Sequence, residues 1–101
     1  MVTEIRIYKL KEGKSNEFLK VFTEQSLPLM KKWQVDVEYF GFAIDDNTSF
    51  HLIRQYKDLD DRNLRQEKFY NSDDWIKGPR KIILECIDYY NTTIFENKLN
   101  H

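Results

Sequence analysis

From Thr3 to Leu10 apolar and polar residues alternate, with Ile5 and Ile7 on one face and Glu4, Arg6, Tyr8 and Leu10 on the other. Period two with β-branched residues predicts a strand, and apolar residues on both sides predict that both faces are covered. Lys11–Lys14 is a turn, Ser15 is a suitable N-cap, and the period then changes. Phe18, Val21, Phe22, Leu29, Met30 and Trp33 recur at helical spacing, while Glu17, Lys20, Glu24, Lys31 and Lys32 take the opposite side. Pro28 lies inside this pattern and has no N–H for the Glu24 carbonyl. A kink or break is expected there, with Leu27–Trp33 as a second short helical segment.

Val35–Ile44 predicts the next strand, apolar on both faces from Tyr39 onward, with Gly41 marking a bulge or a close backbone approach. Asp45–Ser49 is turn chemistry, and a strand beginning at Phe50 makes an antiparallel hairpin with its predecessor. That strand runs without Gly or Pro into a helix capped by Asp58, with Asp60 and Asp61 in its first turn. The helix has a thin apolar stripe of Leu59, Leu64, Phe69 and Tyr70. Ser72 caps a further segment with a better face, made of Trp75, Ile76, Ile82, Ile83, Cys86 and Ile87. Gly78-Pro79 interrupts it, Pro79 being suited to the first turn of a renewed helix. Asp88–Phe95 predicts the last strand. The expectation is one domain over residues 1–96 and a polar tail over 97–101. The order β-α-β-β-α-β is that of a ferredoxin-like α+β fold with an antiparallel sheet. Its helices cover one sheet face. The apolar second face predicts a homodimer, in which a two-fold axis lets the patch cover itself.

Composition narrows the partners. Lys+Arg 16 against Asp+Glu 17 leaves no basic excess to neutralise phosphates, so nucleic acid is not expected as the main partner. Cys86 is the only cysteine, which excludes an internal disulfide and suits a reducing, cytoplasmic setting. The first ten residues interleave charges with apolar residues, so no signal-peptide core is read there, and no apolar run is long enough to span a bilayer. A soluble cytoplasmic protein without a membrane partner is expected. Gly 3 leaves little scope for a phosphate-cradling loop, and His, Cys and acidic residues do not cluster at ligand spacing. Neither metal nor cofactor is expected.

Ordered motifs carry a family resemblance. They are Glu4-Ile5-Arg6-Ile7-Tyr8 with Leu10 and Gly13-Lys14, and Phe18-Leu19 with Leu27-Pro28-Leu29. Leu52-Ile53-Arg54 with Tyr56 and Asp58-Leu59 follows, then Phe69-Tyr70-Asn71-Ser72 with Trp75. Taken together from Glu4 to Phe95, they resemble a NIPSNAP domain of the dimeric α/β barrel superfamily. Lys32-Trp33-Gln34 departs from the pattern, standing where the resemblance leads one to expect a Gly-containing turn. The resemblance implies a homodimer whose two sheets face each other as a barrel. Relatives in the wider superfamily include cofactor-free monooxygenases, haem-degrading or haem-binding enzymes, lactone isomerases and stress-response proteins, a breadth that does not select an activity.

Among residues able to carry chemistry, Arg6 suits an anionic ligand and Tyr8 a hydrogen bond to it; the alternative is a Glu4–Arg6 pair with Tyr8 as packing. Arg54 shares a face with Tyr56 and needs a partner if buried, either Glu4 or an anionic ligand. His51 and Tyr56 are the candidate proton carriers, although alternation places His51 on the face opposite Arg54. Trp75, with Trp33, Phe18 and Phe22, is either cavity wall or plain core, and Cys86 reads as an inert buried thiol. Arg6, Tyr8, Arg54 and Trp75 are thus the candidate ligand-binding set. Three readings stand open. The first is a cofactor-independent, monooxygenase-like enzyme acting on a small aromatic or apolar metabolite. The second is a non-catalytic binder of a small apolar or anionic ligand. The third is a homodimeric interaction or structural module.

Overall fold

The computed structural model describes residues 1–97, so the expected tail lies, beyond Asn97, outside the described residues. Four strands, β1 (Val2–Leu10), β2 (Asp36–Ala43), β3 (Asp46–Tyr56) and β4 (Ile87–Glu96), form one antiparallel sheet in the order β2-β3-β1-β4. The helices α1 (Ser15–Val21), α2 (Leu27–Lys32), α3 (Leu59–Tyr70), α4 (Asp73–Ile76) and α5 (Arg80–Cys86) lie between them in the chain. This is the expected α+β, ferredoxin-like arrangement, with the helices on one face of the sheet. Among the described residues no helix is long and apolar enough to cross a membrane.

Register assigns the strand faces. Glu4, Arg6 and Tyr8 of β1 stand opposite Arg54, Leu52 and Phe50 of β3, and this shared face turns toward the helices. Phe50, fully buried, is the centre of the core: its ring lies 4.9 Å from that of Phe18, 5.1 Å from Phe22 and 5.2 Å from Phe42. The opposite face carries Ile5, Ile7, Ile53, His51, Tyr39, Tyr89 and Phe95, and no element of the described residues covers it. Tyr39 is 65% exposed there and Tyr89 56%.

Several local expectations are corrected. Ser15 does not cap α1; its hydroxyl donates to the Asn47 carbonyl at 2.6 Å and ties the helix to the start of β3, just after the β2–β3 turn. That turn is tighter than expected, Ile44-Asp45, and β3 starts at Asp46 rather than Phe50. Asp46 organises it by accepting from the Thr48 N–H at 2.9 Å, the Thr48 hydroxyl at 2.6 Å and Lys9 Nζ at 2.7 Å. Gly41 is a regular partner of His51 with open space around it. The irregularities fall instead between Val37 and Tyr39 and between Phe42 and Ala43. Pro79 stands just before α5 rather than within its first turn. Asp58 and Ser72 cap as expected, accepting from the Asp61 N–H at 2.7 Å and the Trp75 N–H at 3.2 Å.

Pro28 widens the helix where a kink or break was expected. Phe22–Ser26 is a π-helical turn, closed by the Leu27 N–H on the Phe22 carbonyl, and α2 continues from it with Pro28 in its first turn. Shifting the ladder by one residue fits the missing proline donor, and single π turns are enriched at functional sites. At the exit of α2 the Val35 N–H bonds the Met30 carbonyl at 2.8 Å, and Gln34 takes φ 60°, the left-handed position at which glycine is usual. The motif departure at Lys32–Gln34 is therefore a glycine-like turn made by glutamine. Arg65 Nη1 holds it, 3.2 Å from the Gln34 carbonyl and 2.9 Å from its side-chain oxygen.

Candidate functional site

The inner face of α3 is polar. Arg62, Gln66 and Tyr70 recur every fourth residue, so they stand in one row along a helix, and the row faces Glu4 and Arg54 on the sheet. Glu4 is fully buried. One oxygen of its carboxylate accepts from Arg54 Nε at 2.7 Å and lies 2.6 Å from Arg54 Nη2. The other accepts from Arg62 Nη2 at 2.7 Å, Arg62 Nε at 3.0 Å and Gln66 Nε2 at 2.7 Å. Arg6 Nη2 stands further off, 3.6 Å away. One carboxylate thus faces three guanidiniums, and the cluster keeps an excess of positive charge.

The Tyr70 phenol oxygen joins this cluster to the space beside it, accepting from Arg54 Nη1 at 3.0 Å and Arg6 Nη1 at 3.3 Å. The Arg6 guanidinium also lies 5.0 Å from the Tyr90 ring centre and 5.9 Å from that of Tyr70, and its Nε donates to Thr92 at 3.1 Å. Next to Arg6, between sheet and helices, is a cavity of about 440 Å³. Tyr8, Phe18, Phe22 and Trp75 supply its aromatic wall, and Ser26 and Arg80 also border it. Two arginines line it, and among the described residues no carboxylate does.

Burial and charge set the ionisation. Burial alone would raise the Glu4 carboxyl, but the Arg54 and Arg6 charges and the bonds from Arg62 and Gln66 outweigh it and hold the pKa down. Burial, with Tyr70 nearby, pushes the Tyr8 phenol up to about 12. Tyr70 goes the other way: burial would raise it, yet Arg54 and Arg6 together lower it below the ordinary phenol value. Because the folded Glu4 pKa is depressed, its stabilising charge is fully present above the unfolded value of about 4.3 and is lost as pH falls through the folded value. Urea denaturation midpoints should therefore fall steeply below about pH 4; a midpoint flat from about pH 6 to about pH 3 would contradict this.

The structure divides the sequence candidates. Arg6, Tyr8 and Trp75 meet at the cavity. Arg54 does not enter it: fully buried, it is committed to Glu4 and Tyr70. Tyr56 stays in the polar cluster, accepting from Gln66 Nε2 at 3.0 Å, with its phenol pKa raised mainly by burial. His51 is on the uncovered sheet face, its Nε2 3.2 Å from the Ser49 hydroxyl, and is remote from the cavity. Trp33 is outside too, donating to Asp74 at 3.1 Å. Cys86 is buried, 3.7 Å from Glu17 Oε1, and burial raises its thiol pKa. Arg62, Gln66, Tyr70, Ser26 and Arg80 were not identified from sequence. The spacing of Arg62, Gln66 and Tyr70 was the available signal, together with the thinness of the apolar stripe on α3. Among the described residues no group of His, Cys, Asp and Glu is placed to hold a metal.

The fold has solved counterparts. An uncharacterised NIPSNAP domain protein from Burkholderia xenovorans aligns with a TM-score of 0.87 and 19% identity over 98% of this chain and 96% of that one. A NIPSNAP family protein from Agrobacterium tumefaciens gives 0.88 and 20% over 97% and 93%. A candidate antibiotic biosynthesis monooxygenase from Nitrosomonas europaea is more distant, with 0.73 and 16% over 97% and 99%. At these identities the likeness is one of fold. No curated protein matches the sequence. The NIPSNAP family model matches residues 3–87, the first three strands and all the helices, and the chain belongs to the NIPSNAP family.

Proposed function

We propose that this protein is a homodimeric, cytoplasmic binder of a small molecule with an apolar body, held between the helical layer and the sheet. The carrying observation is the cavity itself. At about 440 Å³ it is of ligand size, and aromatic walls with a few convergent polar groups are the usual makeup of such a site. Fragment screening by amide NMR tests this: shifts centred on Tyr8, Phe22 and Trp75 support the reading, and fragments that leave those amides unmoved sink it. The dimer rests on the uncovered sheet face, where Tyr39, Ile53 and Ile5 stand side by side by register and Ile7, Tyr89 and Phe95 lie on the same side. Light scattering at micromolar concentration should return twice the chain mass, and a single-chain mass would refute it. The lone buried thiol supports a reducing compartment.

Cofactor-independent catalysis is the second reading, supported by Tyr70. Its phenol borders the cavity, receives two guanidinium hydrogen bonds and has a lowered pKa, which suits a proton donor or acceptor. Tyr70 takes the place that sequence reasoning gave to His51 or Tyr56. Turnover of a bound fragment that disappears in Tyr70→Phe would favour this reading over simple binding.

A further inference from the structure

Ser26 is 1% exposed, borders the cavity, and its hydroxyl makes no hydrogen bond among the described residues. A helical serine ordinarily relieves itself on the carbonyl four residues back. Thr23, on the preceding turn, does so, bonding the Leu19 carbonyl at 2.8 Å. For Ser26 that carbonyl is Phe22's, which in the π turn accepts the Leu27 N–H, and the Ser26 hydroxyl does not bond it. The fold thus leaves an unpaired hydroxyl in an aromatic-walled space, an arrangement that costs stability.

The second observation is charge. Glu4 is saturated by Arg54, Arg62 and Gln66, so Arg6 has only the 3.6 Å approach to it and two bonds to neutral oxygens. Arg80, on the same cavity, makes no ion pair among the described residues. With two arginines and, among the described residues, no acid on the wall, the space favours an anion. A partly free guanidinium fork matches a carboxylate, whereas a phosphate would need more donors than these aromatic walls supply.

We infer that the ligand is a small carboxylic acid on an aromatic or similarly flat apolar body, bearing a second hydrogen-bonding group. The carboxylate sits on Arg6 and the second group, a hydroxyl or keto oxygen, pairs with the Ser26 hydroxyl. This rests on the binding reading above.

Calorimetric titration with naphthalenemethanol, naphthoate and a panel of hydroxynaphthoate isomers tests it. The native protein should bind naphthoate at least about tenfold more tightly than the neutral alcohol, and Arg6→Gln should erase that preference. At least one hydroxynaphthoate should exceed naphthoate by about 3–10-fold, the usual worth of one hydrogen bond. Ser26→Ala should collapse that isomer onto naphthoate. Removing an unpaired hydroxyl leaves the melting temperature at or above the native one, which separates lost binding from lost folding. Equal affinity for the acid and the alcohol, or an isomer preference untouched by Ser26→Ala, overturns this inference while leaving the cavity a binding site. Failure of every probe to bind overturns the binding reading with it.

Discussion

Replacing Glu4 by glutamine should destabilise the protein by about 3–5 kcal/mol, the cost of leaving a buried charge without its partner. The charge concerned is Arg54, which is fully buried and has its Nε and Nη2 on Glu4 Oε1. Arg6 and Arg62 have partly exposed side chains, 11% and 16%, and can recover some hydration. In a domain whose total stability is about 5–15 kcal/mol, such a loss is large. Urea denaturation read by fluorescence measures it. The double variant Glu4→Gln, Arg54→Met should regain more than about 2 kcal/mol, because it removes the orphaned charge along with its partner. A single variant within about 1 kcal/mol of the native protein would show that the cluster contributes nothing to folding.

A comparable effect is expected at Phe50. Truncation to alanine should cost about 3–5 kcal/mol, combining lost apolar burial with the cavity left behind. The upper end applies here, because the Phe18, Phe22 and Phe42 rings all rest on Phe50 and come from elements already anchored by other contacts. These neighbours cannot all collapse inward at once. Phe50 lies against the wall of the ligand cavity through Phe18 and Phe22, so fragment shifts at the Phe22 amide should weaken along with stability. A loss below about 1 kcal/mol would mean the core repacks freely around the gap.

The two substitutions probe parts of the molecule that differed in how legible they were. The strand order along the chain, the caps Asp58 and Ser72, and the facing of Ile5 and Ile7 away from Glu4, Arg6 and Tyr8 follow from short-range periodicity. Such patterns are set by the pleat and by helix ends, which involve residues only a few positions apart. The boundaries that moved, such as the start of β3 at Asp46, depended on side-chain contacts between distant segments, here Lys9 reaching the hairpin turn. The π turn at Phe22–Ser26 was half legible: Pro28 announced a disturbance but not its form.

By itself the sequence determined an α+β chain in the order β-α-β-β-α-β, its family, and a short set of polar residues too apolar in context to be plain surface. It also separated His51 from Arg54 by parity. Only the tertiary structure decided which parity faced the helices, because both faces carry apolar residues and the pattern is symmetric between them. It decided too that Arg54 is spent on Glu4 while Arg6 remains at the cavity, since that depends on how many donors converge on one carboxylate from β1, β3 and α3. Ser26 shows the limit most sharply. A lone serine in an amphipathic helix carries no signal, and whether its hydroxyl finds a partner is decided by what packs around it.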